Sequence, residues 1–153
     1  MSRSRPLMEI SFPAIARRSA STRIDSTPKA NAPESSNVLV YYQNVSGMNT
    51  YVDEYRLASS DCSYDVIALT ETWLNERTSS NQVCGDYYEV FRCDRNHLNS
   101  SKVSGGGVLL AIRRAFQARE LKDARWSIVE QVWVSIKLVD HTVFICVIYF
   151  PPD

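Results

Sequence analysis

Short apolar runs separated by polar turns fill the chain from residue 37 onward. The first run, residues 38–43, is rich in β-branched and aromatic side chains and predicts a strand. After a turn at residues 44–47, apolar side chains recur at the i, i+3, i+4 and i+7 spacing of an amphipathic helix, at Met48, Tyr51, Val52 and Tyr55. The near-continuous apolar run at residues 64–70 predicts a strand buried on both faces. This order predicts a right-handed βαβ crossover unit.

The apolar runs in the rest of the chain predict four more strands, at residues 87–92, 108–112, 129–138 and 143–149. Alternation within the third of these places apolar side chains on one face, at Val132, Val134, Ile136 and Leu138. The fourth is apolar throughout, which is typical of a buried strand, and residues 139–142 form the turn before it. We therefore expect the final three strands to form a β-meander that contains a hairpin.

Residues 1–36 differ in composition from the rest, because Ser, Arg, Pro and Ala dominate and no periodicity persists. We interpret them as a disordered leader, with a transit peptide or upstream sequence spliced or read through into the frame as alternatives, and residues 37–153 as part of one domain. The leader holds six Lys/Arg and three Asp/Glu of the 17 and 17 in the chain, which leaves the domain with eleven and fourteen. A mildly acidic domain needs metal ions or local basic residues to attract a phosphodiester.

Overall composition is that of a folded globular protein, with 44% hydrophobic and 22% charged residues. The four cysteines show no C-x-x-C pairing, so we expect reduced thiols in an intracellular protein of the nucleus or cytoplasm. We expect no membrane partner, because no apolar run approaches the roughly 20 residues that span a bilayer.

Three polar residues, Asn44, Glu71 and Tyr149, each lie at the end of a predicted strand. If those strands are parallel neighbours, the three side chains converge on one rim of a sheet, where ligands commonly bind. A lone carboxylate there can hold Mg²⁺ or Mn²⁺, while an amide and a phenol can orient a phosphate. By spacing alone each has another interpretation: a solvated glutamate, a turn asparagine and a half-buried core tyrosine.

The glycine run 105–107 and its basic neighbours are the remaining signals. A strand follows the glycines and no Lys-Ser/Thr pair is present, so we expect a tight turn rather than a phosphate-binding loop. Arg92, Arg95 and Lys102 form a small basic group near this turn. Arg95 and Lys102 are candidate contacts to a nucleic-acid backbone, with ordinary solvated charges as the alternative.

Six stretches together resemble one known family, in the order in which the family has them. They are residues 42–47, 64–74, 90–95, 105–109, 130–134 and 145–152. Residues 38–153, about three-quarters of the chain, resemble the N-terminal part of the endonuclease domain of non-LTR retrotransposon reverse-transcriptase polyproteins. That domain belongs to the endonuclease/exonuclease/phosphatase superfamily. The resemblance implies an α/β (α+β) protein: part of a four-layer α/β/β/α sandwich, with about one mixed sheet and a flanking helix, truncated at the C-terminus.

The same resemblance implies roles for the three strand-end residues. Asn44 supports the metal site and the phosphate, Glu71 binds the metal, and Tyr149 contacts the scissile phosphate. The family pattern continues with an Asp-x-Asn and a closing Asp-His pair, which do not follow Tyr149 in these 153 residues. The pairs Asp86-Tyr87 and Asp140-His141 precede Tyr149 and are not equivalents.

The resemblance therefore predicts a Mg²⁺- or Mn²⁺-dependent DNA endonuclease domain that is incomplete and inactive as given. The alternative is a degenerate, non-enzymatic retroelement fragment or weak nucleic-acid binder. A third hypothesis keeps the superfamily but has an inositol-phosphate or sphingolipid substrate. The expected partners are DNA and the remaining half of the domain. A half-domain also leaves an apolar face and a strand edge open, which predicts self-association.

Overall fold

The computed structural model describes residues 37–98, 100, 102, 104–124 and 128–151. The expected leader, residues 1–36, lies outside the described residues. The strands and the α-helix in the described part are β1 (Val40–Asn44), α1 (Val52–Asp61), β2 (Val66–Thr70), β3 (Tyr88–Cys93), β4 (Val108–Arg113), β5 (Arg119–Glu120), β6 (Glu130–Lys137) and β7 (Thr142–Tyr149).

A mixed four-stranded sheet in the order β1-β2-β4-β3 forms the centre of the fold. Strands β1 and β2 are parallel neighbours, and β4 is antiparallel to both β2 and β3. All five residues of β2 are buried, as its uninterrupted apolar run predicts. The mixed sheet with a flanking helix is confirmed, and the two strands joined through α1 are adjacent, which the sequence left open.

Helix α1 begins at Val52, four residues later than its apolar spacing predicts. The cause is a pair of backbone hydrogen bonds that hold the preceding segment against the loop after β2: Gly47 N donates to Glu71 O at 2.7 Å and Met48 N to Thr72 O at 3.0 Å. Met48 and Tyr55 are still buried, so the apolar pattern marked the core correctly but not the start of the helix. In the described part of the chain, no helix has the length and apolarity to cross a membrane.

A second, three-stranded sheet has the order β5-β6-β7 and is additional to the expected one. Strands β6 and β7 form the predicted hairpin, with Glu130 opposite Tyr149 and Lys137 opposite Thr142. The predicted β-meander is wrong, because Val108–Arg113 lies inside the first sheet between β2 and β3. The third strand is instead Arg119–Glu120, and two residues are too few for side-chain alternation to reveal.

The hydrophobic core has two parts, one on each face of the first sheet. Between the sheets, side chains of β2 and β4 pack against the inward face of β6, which comprises Val132, Val134 and Ile136 with Leu138 just beyond. On the opposite face, the alternate side chains of β2 and β4 pack against residues that include Met48 and Tyr55. The chain is therefore layered as helix, sheet and sheet, and the predicted inward face of β6 is confirmed.

Strand β7 is the edge of the second sheet and is only half-buried. Its apolar run predicted a buried strand, but Val147 is its one fully buried residue and Phe144 is 63% exposed. Among the described residues β6 alone lies beside it. Apolar composition therefore identified a strand here without identifying its position in a sheet.

We predict that Ile136→Ala lowers the free energy of unfolding by about 2–5 kcal/mol, because it removes a fully buried side chain from between the sheets. Val139→Ala is the matched control, since Val139 is 74% exposed in the hairpin turn and its loss should change stability by less than about 0.5 kcal/mol. Urea denaturation followed by circular dichroism measures both. Equal effects of the two substitutions would contradict this packing.

Candidate active site

The carboxyl ends of β1, β2 and β3 meet the beginning of β4 at one rim of the first sheet. Asn44 pairs with Thr70 across β1 and β2, and Thr70 pairs with Val108 across β2 and β4. Cys93, the last residue of β3, also pairs with Val108. Asn44 and Glu71, which follows Thr70, therefore lie at adjacent strand ends.

The second sheet brings Tyr149 to the same end of the molecule. Tyr149 is opposite Glu130 in the β6–β7 ladder, and Glu130 accepts a 2.7 Å hydrogen bond from the backbone N of Gly107, just before β4. The guanidinium of Arg95, just after β3, lies over the Tyr149 ring with its Cζ 5.8 Å from the ring centroid. The expected parallel-neighbour arrangement therefore holds for the strands before Asn44 and Glu71 but not for β7, which lies in the second sheet. We use the term rim for this end of the molecule, where both sheets contribute strand ends, and the chemical roles of the three residues stay predictions.

The carboxylate of Glu71 is held through one of its two oxygens. Oε2 accepts hydrogen bonds from Gly106 N at 2.7 Å and from Trp73 Nε1 at 2.6 Å. Oε1 receives no hydrogen bond from the described residues. A carboxylate fixed in this way presents one preset oxygen at the half-buried rim, and a carboxylate oxygen is the ligand that Mg²⁺ prefers.

The glycine turn lies between the two sheets and is confirmed as a tight turn that needs glycine. The φ angles of Gly105, Gly106 and Gly107 are +80°, +65° and +86°. A Cβ at Gly106 would overlap both the Arg95 guanidinium and the Glu130 carboxylate. The turn also bonds back to the β2 end, because the carbonyl O of Gly106 accepts from Trp73 N at 2.8 Å.

Arg95 and Glu130 form a buried ion pair beside this turn, with side chains only 6% and 2% exposed. Arg95 also donates from Nη1 to Ser104 O at 2.8 Å, and its buried Nη2 has no hydrogen-bond partner among the described residues. We predicted Arg95 as a nucleic-acid contact, whereas the structure gives its guanidinium an internal partner. The sequence shows both charges but not that residues 35 positions apart meet.

Asn44 and Lys102 occupy more open positions. Asn44 Oδ1 accepts from Ser46 N at 3.1 Å and Ser46 Oγ at 3.3 Å, which is the turn role that its spacing also allowed. Its Nδ2 makes no hydrogen bond within the described residues. Lys102 is exposed on the loop before the glycine turn, and its contact with nucleic acid stays a prediction.

Two further charged pairs lie at the end of β3 and in the hairpin turn between β6 and β7. Arg92 pairs with Asp94 at 2.9 Å, where burial raises the pKa of the Asp94 carboxyl and Arg92 opposes that shift. Asp140 and His141 form a pair in the hairpin turn, where the hydrogen bond from His141 lowers the pKa of Asp140. That turn is at the opposite end of β6 and β7 from Tyr149, so the pair is remote from the rim.

Among the described residues of the rim, Glu71 keeps one carboxylate oxygen without a hydrogen bond. The described residues contain no group of three or more His, Cys, Asp or Glu side chains that could hold a metal. Glu130 lies beside the same glycine turn as Glu71, but both of its carboxylate oxygens accept hydrogen bonds, one from Arg95 and one from Gly107 N. Glu71 Oε1 therefore fits an ion that takes one carboxylate and keeps several waters, as Mg²⁺ does.

We predict that Glu130→Gln lowers the free energy of unfolding by about 3–5 kcal/mol, because it leaves Arg95 charged, buried and uncompensated. Glu76→Gln is the control at an exposed position and should have no measurable effect. Combining Glu130→Gln with Arg95→Met should restore part of the loss, because both charges are then gone. Urea denaturation of the four chains tests this, and an unaltered Glu130→Gln midpoint would contradict it.

No protein-family model matches the chain, and no curated protein matches it. Among solved structures, the chain is similar to the crystal structure of the AP endonuclease LMAP from Leishmania major, with a TM-score of 0.53 and 15% sequence identity. The similarity covers 73% of this chain and 40% of that one. At this identity the likeness concerns the fold alone, so the described residues have an α/β fold like part of that structure.

Proposed function

We propose that this chain is the N-terminal part of a divalent-metal-dependent phosphodiesterase that cuts DNA, of the retrotransposon endonuclease type. The observation that carries the proposal is the fixed Glu71 carboxylate at a rim shared with the strand ends of Asn44 and Tyr149. The fold likeness to an AP endonuclease supports the nuclease class. The six motif stretches support the retrotransposon type.

The rim residues divide the work of phosphodiester cleavage between them. A Mg²⁺ or Mn²⁺ ion held by Glu71 Oε1 would supply a Lewis acid for the phosphoryl oxygen. Trp73 and Gly106 hold Oε2 of Glu71 by hydrogen bonds and thereby set the direction of Glu71 Oε1. The Tyr149 hydroxyl donates to a phosphate oxygen, while Arg95 over its ring limits how the ring can tilt. Asn44 offers its Nδ2 to orient the same phosphate.

The 153 residues supply only this part of the family's site. By resemblance, an Asp-x-Asn positions the nucleophile and an Asp-His pair carries acid/base work. Groups that act as one unit lose nearly all activity when some are missing. We therefore propose that these residues alone do not turn over DNA. The same consideration, with the acidic balance of residues 37–153, favours a second candidate: a degenerate retroelement segment that binds nucleic acid weakly.

We expect the chain extended by its natural C-terminal continuation to nick supercoiled plasmid DNA in Mg²⁺ or Mn²⁺, and the 153 residues alone not to do so. In the extended chain Glu71→Gln should slow nicking by about 10²-fold or more, because it removes the charge that holds the ion. Glu76→Gln, exposed and outside the rim, is the control. Wild-type nicking rates from the Glu71→Gln chain would refute the assignment.

We further propose that β7 accepts another strand, from the remaining half of the domain or from a second copy of the chain. The strand carries no charged residue, and edge strands are usually protected by charge or proline. Val40 and Tyr42 on β1 pair with inward-facing residues of β2, yet they are 53% and 62% exposed. The second sheet therefore leaves this part of the inner face open, next to the β7 edge.

Light scattering during size-exclusion chromatography should show the 153-residue chain associating as its concentration rises. Phe144→Lys should shift the chain towards monomer, because it places a charge on the open edge strand. Val139→Lys is the control, since Val139 is also exposed, at 74% against 63% for Phe144, but lies in the hairpin turn. A monomer at every concentration would contradict strand addition between copies of the chain.

A further inference from the structure

Trp73 is a large aromatic residue left open at the rim. It is 44% exposed, two positions after Glu71 and on the same side of the β2 end. The side chain of Thr72 between them is fully buried. An indole that served only the core would be covered, as the other apolar side chain of this loop, Leu74, is. The exposed ring adjoins the carboxylate of the proposed metal site.

The backbone at Trp73 is strained, and several contacts hold it in place. Its φ angle is +55°, and that of Glu71 is +57°, both in the left-handed region that bulky residues rarely adopt. Such residues persist where the surroundings over-determine them, commonly at functional sites. Here Trp73 N donates to Gly106 O at 2.8 Å, and Trp73 O accepts from Asn49 Nδ2.

The ring itself is also fixed. Its Nε1 donates to Glu71 Oε2 at 2.6 Å, and its six-membered part lies so close to Gly47 that a Cβ there would overlap it. Gly47 has a φ of +95°, which glycine adopts readily. The indole is therefore immobilised by its nitrogen and by the Gly47 backbone while much of its surface remains open. A rigid aromatic group loses little conformational entropy when a ligand binds to it.

We propose that Trp73 is a stacking platform for an unpaired nucleobase next to the scissile phosphate. The identity of the ligand as nucleic acid rests on the proposed function. Aromatic side chains bind bases through their faces with little regard for sequence. The domain needs such a contact, because fourteen acidic residues against eleven basic ones give little attraction for the phosphate backbone. The base must be out of the helical stack, as in a single strand or a locally opened duplex.

A competing explanation is that Trp73 only anchors Glu71 through its Nε1. Two substitutions separate the roles: Trp73→Phe keeps an aromatic face and removes the Nε1 donor, while Trp73→Ala removes both. Stacking predicts that base binding survives Trp73→Phe and is lost in Trp73→Ala. Anchoring alone predicts that neither substitution changes binding when no metal is present.

Binding is measured by fluorescence anisotropy with a labelled thymidine oligonucleotide in EDTA, so that neither cleavage nor metal is involved. We expect Trp73→Ala to weaken binding by about 5- to 150-fold, the range for one lost stacking contact, and Trp73→Phe to weaken it by less than about threefold. Trp133→Phe is the matched control, because Trp133 lies on β6 and bonds Gln131. An abasic oligonucleotide of equal length, which keeps the phosphates, should bind wild type and Trp73→Ala equally.

The proposal is overturned if Trp73→Ala binds the thymidine oligonucleotide as tightly as wild type, if it loses the abasic oligonucleotide equally, or if wild type binds neither. Circular dichroism and the urea midpoint of each variant confirm that it is folded. The outcome is separate from the nuclease assignment. If binding depends on Trp73 but the extended chain does not nick DNA, the stacking contact stands and the nuclease assignment fails. If nicking depends on Glu71 but Trp73→Ala binds as wild type does, the nuclease assignment stands and only the stacking platform is refuted.

Discussion

A carboxylate from each of the two sheets binds the backbone of the glycine turn, and the rim depends on this double hold. Gly106 N donates to Glu71 and Gly107 N to Glu130, so adjacent amides connect the end of β2 with the start of β6. Arg95 neutralises Glu130, and without it that carboxylate would be buried beside Glu71 with no compensating charge. The orientation of the one candidate metal ligand thus depends on an ion pair that does not touch it.

The sequence predicted those elements well whose form depends on neighbouring residues in the chain. The apolar runs of β2 and β4, the alternation of β6 and the glycine turn all appear where the sequence indicated. Errors arose where distant parts of the chain decide the outcome. The start of α1 is delayed because Gly47 and Met48 bond to the loop after β2. Strand β4 left the expected meander because β2 and β3 flank it.

The candidate site divides in the same way. A strand-end position is visible in sequence, and it made Asn44, Glu71 and Tyr149 candidates together with the family resemblance. Glu130 was missed, although it precedes the inward-facing apolar positions of β6 by two residues and so shares their buried face, where a charged residue needs a partner. Arg95 was noticed as a cation, but its burial follows from a partner on a different sheet. Trp73 belongs to one of the motif stretches, but its positive φ angle and its exposed ring are visible only in the structure.

The hydrogen bond between Gly107 and Glu130 also makes the position of Glu71 depend on whether the β6–β7 hairpin stays packed on the first sheet. Strands β6 and β7 pair with each other and are joined to the rim by packing and by this small polar cluster. If the hairpin lifts away, Arg95 loses its carboxylate, the turn loses one of its two anchors, and the amide that restrains Glu71 is released with it. Proteins commonly open in such cooperative units at free energies below that of global unfolding. The orientation of the Glu71 carboxylate is then set by how firmly the hairpin is docked as well as by its own hydrogen bonds.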